Sequence, residues 1–343
     1  LKDTMAFIGQ LHEEKKRVDL DTIDRKMVYL LSLNGRSAES SIAKALKISK
    51  ERVHYRMKRL EKQGFLHGVL TLFDHRKLGI SVHEVSLSLH PRADLSTLQK
   101  SLENSEEVNH IAFCSAPHDI QFQVTTKNPD DFVQFFDAFL AEHYTMIHDY
   151  SISKILENHY TGLLFLLQDL EKPKITEQKG SAFLKEFKQK KRSVGYSIDE
   201  KDKEILLSLG LDGRIPLMHL AKKIRLTPIY VKKRLQRLIE EGYIKNFIPF
   251  YSVSFLGYQW YVMRLRTKGI SEAQFLSFLK EQKNIAWMTK RIGSWNYYLS
   301  IFARNNTELN TIIQEIRNAF HESLVDYDTY IIFKQEKYTP LVL

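Results

Sequence analysis

Only one cysteine, Cys114, occurs in the 343 residues, so no disulfide can form within the chain, and the composition suits a reducing compartment such as a cytoplasm. The same scarcity removes the paired thiolates that hold most structural zinc sites. The 13 histidines are scattered. Their most closely spaced pair, His143 and His148, misses the four-residue interval that would stack two ligands on one helix face. No glycine-rich phosphate loop and no nucleophile elbow is present. Long apolar runs are missing too. The run GLLFLL, Gly162 to Leu167, falls far short of the ~20 residues that span a bilayer, and nothing resembles a signal peptide. The expectation is a protein without membrane association, working without metal, cofactor or covalent catalysis, in which Cys114 is a buried strand residue.

What the chain does have is positive charge and a repeat. Fifty-one Lys and Arg against 41 Asp and Glu give a net charge of +10, which favours a polyanionic partner. The length exceeds what a single core usually serves, so several domains are expected. Sliding the sequence by 178 positions sets Asp24 on Asp202, Gly35-Arg36 on Gly213-Arg214, Ala43-Lys44 on Ala221-Lys222, and Arg56 on Arg234. It also sets Arg59-Leu60 on Arg237-Leu238 and Gly64 on Gly242. Between Leu20 and Leu66 the register never slips, and differences such as Met27/Ile205, Ile42/Leu220 and Met57/Leu235 exchange one apolar residue for another at the same helical phase. This is a duplication. It continues more weakly to Tyr160-Thr161 and Tyr338-Thr339. Between the halves, residues 170–195 are polar and lysine-rich and read as a linker, with a helical turn expected around Phe183 to Phe187.

Each repeat opens with a basic helical module. Asp21 offers an N-cap for a first helix carrying Ile23, Met27, Leu30 and Leu31, and Asn34-Gly35 offers a left-handed stop. Ser37 is expected to open a second helix with Ile42, Ala43 and Leu46. A short turn leads to Ser49, which caps a third helix burying Val53, Met57 and Leu60 and ending at Gly64. Extended chain follows to Phe73. Three helices with a tight turn between the last two, then a strand, is the winged helix-turn-helix plan. Six basic residues fall within the thirteen positions from Lys50 to Lys62, which double-stranded DNA would explain. The expected contacts are Ser49, Lys50, Arg52, His54, Tyr55, Arg56, Lys58 and Arg59. In the second copy they are Thr227, Tyr230, Lys232, Lys233, Arg234, Gln236 and Arg237. Arg56 and Arg234 have a second possible role, pinning the helix to a neighbouring carboxylate.

The rest of each repeat reads β-α-β-β-α-β, the ferredoxin-like plan. In the first copy the segments are Val85–Leu89, Leu95–Leu102, Val108–Cys114, Ile120–Val124, Asp130–Ala141 and Tyr150–Leu156. In the second they are Tyr261–Leu265, Glu272–Leu279, Ile285–Ile292, Tyr297–Phe302, Leu309–Phe320 and Asp326–Phe333. Helices on one face leave the other, apolar face in need of a partner, and the two sheets could cover each other. The fold class is therefore α+β: two winged helix-turn-helix domains, each followed by a ferredoxin-like domain. The expected units are an N-terminal extension (1–17), a first head (18–73), a first ferredoxin-like domain (74–169), the linker (170–195), a second head (196–250) and a second ferredoxin-like domain (251–343).

The segments LDTIDRKMVYLLSLNGRSAESSIAKAL and IDEKDKEILLSLGLDGRIPLMHLAKKI resemble the opening of Lrp/AsnC-type, or feast/famine, transcription regulators. IYVKKRLQRLIEEGYIKNFIPFYSVSFLGY resembles the continuation of their DNA-binding domain. The resemblance covers roughly residues 20–165 and 196–343 and is stronger in the heads. It implies a prokaryotic, cytoplasmic, sequence-specific regulator of transcription. Ordinary members carry one copy and dimerise, so this chain would be two fused protomers acting as a single-chain pseudodimer, open to further homo-oligomerisation. It also implies a small effector, such as an amino acid, near a glycine-containing loop. Gly293, Ser294, Trp295 and Asn296 match that loop, whereas Ala116-Pro-His-Asp119 lacks the glycine and keeps only Asp119. Trp295 and Tyr297 also read as packing residues. An alternative comes from the sirohaem decarboxylases, which resemble the same fold and include fused pairs. Phe73-Asp-His75-Arg76-Lys-Leu-Gly79 lies where that branch carries functional histidine and arginine. Its His-Cys-Tyr-type strand motif is absent from Asn109-His-Ile-Ala-Phe-Cys114, and the second copy has no histidine at the position of His75.

Overall fold

The computed structural model describes residues 17–173 and 196–338. Nearly all of the expected N-terminal extension and linker, with the turn at Phe183–Phe187, lie outside the described residues.

Both heads are built alike. Helix α1 (Thr22–Leu33) starts at Asp21, whose carboxylate accepts from the Asp24 backbone while Asp24 accepts from the Asp21 backbone. Asp199 and Asp202 repeat this reciprocal cap at α6 (Glu200–Leu211). Helices α2 (Glu39–Leu46) and α7 (Leu217–Ile224) end at Lys47 and Arg225, both left-handed, and the chain turns at once into α3 (Lys50–Lys62) and α8 (Pro228–Glu240). Ser49 and Thr227 cap these third helices. Pro228 fits the first turn, where its missing N–H costs nothing. Val53, Met57 and Leu60 are buried, as are Val231, Leu235 and Leu238. Each is worth about 1.5–3 kcal/mol against exposure. Gly64 and Gly242 take positive φ and end the helices.

Two local expectations need correcting. Ser37 does not open α2. Ala38 occupies the cap, and the Ser37 hydroxyl is buried with no hydrogen bond among the described residues. Gly35 is not a left-handed stop either. Asn34 leaves the helix in an extended conformation, and Gly35 is needed for close approach: a Cβ there would lie 2.7 Å from Val69. Gly213 is tighter still, at 2.6 Å from the Val69 carbonyl oxygen.

That close approach joins the heads. Strand β1 (Leu66–Phe73) pairs antiparallel with β6 (Ile244–Tyr251) from the other repeat, with Val69 opposite Pro249 and Thr71 opposite Phe247. Gly35 donates its N–H to Phe247, and Gly213 donates to Val69. The arginines beside these glycines reach across as well. Arg36 donates to the Gly213 and Ile215 carbonyls at 2.7 and 3.0 Å, and Arg214 donates to the Ser37 carbonyl at 3.3 Å. The Gly-Arg pairs that mark the duplication in sequence are thus its cross-head clamp.

The remaining strands are β2 (Ser81–Leu89), β3 (Val108–Cys114), β4 (Ile120–Thr126) and β5 (Ile147–Tyr160) from the first half, with β7 (Gln259–Thr267), β8 (Ile285–Ile292), β9 (Tyr297–Ala303) and β10 (Leu324–Tyr338) from the second. They form one closed, antiparallel barrel in the order β10-β3-β4-β2-β5-β8-β9-β7. Each half keeps its own four-stranded ferredoxin-like sheet, and the two sheets meet edge to edge at β5–β8 and β10–β3. Closure removes the open edges.

Alternation along the strands decides which face is apolar. Val85 and Leu87 on β2 with Ile120, Phe122 and Val124 on β4 pack outward beneath α4 (Leu95–Asn104) and α5 (Pro129–His143). Tyr261, Met263 and Leu299 do the same beneath α9 (Glu272–Glu281) and α10 (Asn306–Ala319). The intervening residues point inward. Glu84, Gln121, Gln123, Thr289 and Arg291 are among them, beside Val262, Tyr298, Tyr330 and Ile332, so the interior is an apolar and aromatic lining set with polar groups rather than the wholly apolar sandwich expected from sequence. The GLLFLL run forms a buried 3-10 turn, Leu164–Leu167, against α1, with Leu163 N–H donating to the Ser32 hydroxyl at 3.1 Å.

Candidate nucleic-acid interface

The third helix of each head carries the candidate contacts, and their orientation follows from what lies beneath. In the first head Asp24 is fully buried and faces α3. Arg56 donates to it and to Asp21, both at 2.7 Å, and Arg59 also donates to Asp24. In the second head Arg234 donates to Asp202 at 2.9 Å and to Asp199 at 2.8 Å. The Asp21 and Asp199 carboxyls feel desolvation that would raise their pKa, but the capping N–H and arginine bonds win and hold both below the usual range.

The heads then diverge. Where Arg59 uses the second oxygen of Asp24, the Tyr196 hydroxyl uses that of Asp202. Arg237, in register with Arg59, lies over the Tyr196 ring at 3.8 Å instead. Arg56, Arg59 and Arg234 are half-buried and tied to carboxylates of their own heads, so they are less free to point outward than the lysines beside them. Their second expected role, pinning the helix to a carboxylate, is the one the geometry fits for Arg56 and Arg234.

The rest of the set lies on the surface. Ser49 and Thr227 spend an oxygen lone pair on helix caps. His54 meets Glu39 at 3.0 Å, Lys58 meets Glu61 at 2.7 Å, and Gln236 donates to Glu240 at 2.9 Å. Lys50, Arg52, Lys232 and Lys233 are exposed and form no hydrogen bond or salt bridge among the described residues. Tyr55 is 69% exposed and Tyr230 55%. Ile229 (71% exposed) and Met218 (68%) were not singled out from sequence. A lone exposed apolar residue carries no periodic signal, so only its placement in the structure reveals it. The result is a cationic ridge on each third helix, carrying Tyr55 in the first head and both Tyr230 and Ile229 in the second, so that the second is the more apolar.

The effector-type loops are engaged in packing. Asp119 accepts from the Leu89 backbone and Asn296 from the Thr267 backbone, both at 2.7 Å, equivalent ties in the two halves. Trp295 lies near Arg264 and Arg266, with centroid distances of 5.0 and 5.8 Å. Gly293, beside Ser294, has positive φ, and a Cβ there would lie 3.0 Å from Ser153. Tyr297 is buried in the sheet core. Elsewhere, Glu157, His159 and Glu272 bring ligand atoms within 4.8 Å of one another. Both carboxylates already meet cations, Glu157 with Arg76 at 2.9 Å and Glu272 with Lys290. Burial pushes the Cys114 thiol up, which removes the thiolate a nucleophile needs.

Comparison with known proteins agrees with the duplicated head. A family model for winged helix-turn-helix DNA-binding domains matches residues 20–66 and again 198–245. An uncharacterised HTH-type transcriptional regulator of Pyrococcus furiosus is 30% identical over 132 residues, covering 37% of this chain and 85% of the relative. The regulatory protein AsnC of Haemophilus influenzae is 26% identical over 109 residues, covering 32% of this chain and 73% of the relative. Among solved structures, the sirohaem decarboxylase NirDL aligns over 93% of both chains with a TM-score of 0.59 at 12% identity, a likeness of fold. Fold and heads together define a tandem winged helix-turn-helix protein with ferredoxin-like companion domains. The chain belongs to the Lrp/AsnC family of HTH-type regulators. Among the described residues no helix is long and apolar enough to cross a membrane.

Proposed function

We propose that this chain regulates transcription by binding double-stranded DNA, with each head laying its third helix in a major groove. The carrying observation is the outward ridge on both third helices, where Lys50, Arg52, Lys232 and Lys233 are exposed and, among the described residues, unpaired while the neighbouring arginines are tied down. Cations free to meet phosphate position the protein, and side chains near the helix start reach base edges. Because the β1–β6 ribbon and the Gly-Arg clamp join the heads, one chain does what a dimer does in single-copy relatives. The units 18–73 and 196–250 are its DNA-reading parts and the barrel its spacer, in a cytoplasmic setting. The surface differences between the heads favour non-identical half-sites. Footprinting on bound duplexes tests this. Two protected patches on one face, about one helical turn or a multiple apart, are expected. A single patch would mean that only one head docks.

A second reading, a tetrapyrrole enzyme, is favoured by the full-length likeness to NirDL. Against it, His75 lines a small cleft with Asp74 and Glu157, whereas His110 lines the barrel interior, so the two histidines do not converge. Titrating sirohaem and watching for a stoichiometric visible spectrum separates the readings, and no such spectrum is expected. An amino-acid effector at Gly293–Asn296 is the weaker part of the family expectation here, because the Asn296 and Asp119 side-chain oxygens already accept backbone N–H bonds. Higher assembly of pseudodimers is part of the same reading.

A further inference from the structure

The barrel interior is not filled. A cavity of about 250 Å³ lies within it, lined on one side by residues 248–254 at the end of β6 and the turn after it. Side chains ordinarily close-pack such space, and a single water needs only ~10–15 Å³ by this measure. Room for a molecule of roughly ten or more non-hydrogen atoms remains. We propose that this cavity binds a flat, uncharged heteroaromatic molecule, a site distinct from both the DNA ridges and the effector-type loops.

Three features of the wall specify that chemistry. The first is charge. Arg291 and Glu84 cross from β8 to β2 as a two-pronged pair, one arm at 3.0 Å, and Arg291 also lies 3.6 Å from the Tyr298 ring centroid. Gln123 adds a bond to Glu84 at 3.0 Å. Each charge is answered within the wall, so a carboxylate or ammonium entering the cavity would lose its hydration and find no free counter-ion. An amino-acid zwitterion fits poorly for this reason.

The second feature is a cluster of unsatisfied neutral groups. His110, Gln335 and Tyr338 lie where β3 meets β10, all line the cavity, and none of their side chains makes a hydrogen bond among the described residues. His110 is walled in by the barrel and uncharged near neutrality, burial pushing its imidazole down to about 4. Burial likewise pushes the Tyr338 phenol up to about 12, which keeps it protonated. An imidazole, an amide and a phenol together present both donors and acceptors without charge. The His110 Nδ1 is buried without a partner among the described residues, and leaving such a group unbonded is costly. The third feature is the flat lining supplied by Trp260, Trp287 and Tyr160, with Tyr160 packed against Trp287 at 4.9 Å. Rings of this kind favour an offset-stacked planar guest.

The test needs no DNA, so its failure and the failure of the DNA reading are independent. Isothermal titration of the full chain with 7-azaindole, a neutral bicycle with one N–H and one acceptor nitrogen, is compared with L-tryptophan, a similar bicycle bearing a zwitterion. Saturable one-to-one binding of 7-azaindole, at least about tenfold tighter than L-tryptophan, is expected. Filling the space with Ser300→Phe should abolish it, and Gln335→Leu or His110→Leu should weaken it roughly five- to tenfold. Circular dichroism checks that each variant folds. Should Ser300→Phe fail to fold, the two leucine variants carry the decision. Absence of saturable binding, equal or tighter binding of L-tryptophan, or unchanged binding in folded variants overturns the proposal.

Discussion

Arg56 donates to the buried carboxylate of Asp24 at 2.7 Å, and the relationship recurs in the second half, where Arg234 donates to Asp202 at 2.9 Å. A carboxylate buried under the recognition helix sets its roll, because it can be satisfied only if the arginine points inward. The lysines around the same helix are then left on the outside. Removing Asp24 takes from Arg59 its carboxylate partner and from Arg56 one of two, Asp21 remaining. Asp24→Ala should cost the first head about 2 kcal/mol, a value tempered by the partial exposure of both arginines. Chemical denaturation measures this. An unchanged midpoint would mean that the pair does not organise the head.

The exposed lysines and the half-buried, carboxylate-bound arginine should behave oppositely when mutated. Replacing Lys232 and Lys233 together by Ala should leave stability within about 0.5 kcal/mol. It should reduce the slope of log K against log salt on duplex DNA by about 1 to 2. Arg234→Ala should instead lower stability and change that slope little. Fluorescence anisotropy at several salt concentrations, paired with melting curves, checks both halves of this statement. The reverse pattern would place Arg234, and not the lysines, on phosphate.

Gly213 answers a different question, whether the heads are held together directly. Its φ is not left-handed, so a methyl group costs nothing in backbone conformation, but it would lie 2.6 Å from the Val69 carbonyl oxygen. Gly213→Ala should therefore cost about 2–4 kcal/mol through displacement of the β1–β6 ribbon, in the upper part of the range for single substitutions. Gly68→Ala is a control for φ alone, because its φ is +154° and no atom lies within 4 Å of the added Cβ. If both variants melt alike, the close approach is not what makes Gly213 necessary.

Acidification should loosen the barrel through His110. Its folded pKa, about 4, lies below the ordinary histidine value of about 6.5, so between these values the unfolded chain binds the extra proton. Stability is then fully present above about 6.5 and falls with decreasing pH toward 4. His110→Leu removes that proton-linked loss, and its melting temperature should change less than the parent's between pH 7 and 5. Two parallel curves would mean that His110 titrates normally.

Much of this was legible in the sequence, and the exceptions share a cause. Strands Val108–Cys114 and Ile285–Ile292 carry their own alternation and have the expected bounds. Strands β5 and β10 run on to Tyr160 and Tyr338, past the expected ends at Leu156 and Phe333. The added residues pair with the opposite half, Tyr160 with Trp287 and Tyr338 with His110. No local pattern encodes a partner more than a hundred residues away. The Gly-Arg pairs were visible as identities, but their role depends on two loops meeting across the duplication. The polar groups inside the barrel were hidden for a related reason: Glu84 and Gln121 alternate with apolar residues just as solvent-facing side chains would. On the third helix the buried positions were clear from spacing, whereas the inward turn of Arg59 depends on Asp24, thirty-five residues earlier.

The salt dependence of duplex binding by the unmodified chain tests the central claim most directly. If both heads dock through their outward cations, log K should fall linearly with log salt, with a slope of roughly −4 or steeper, four neutralised phosphates being a minimum for two heads. A flat line, or a slope near −1, would contradict the account.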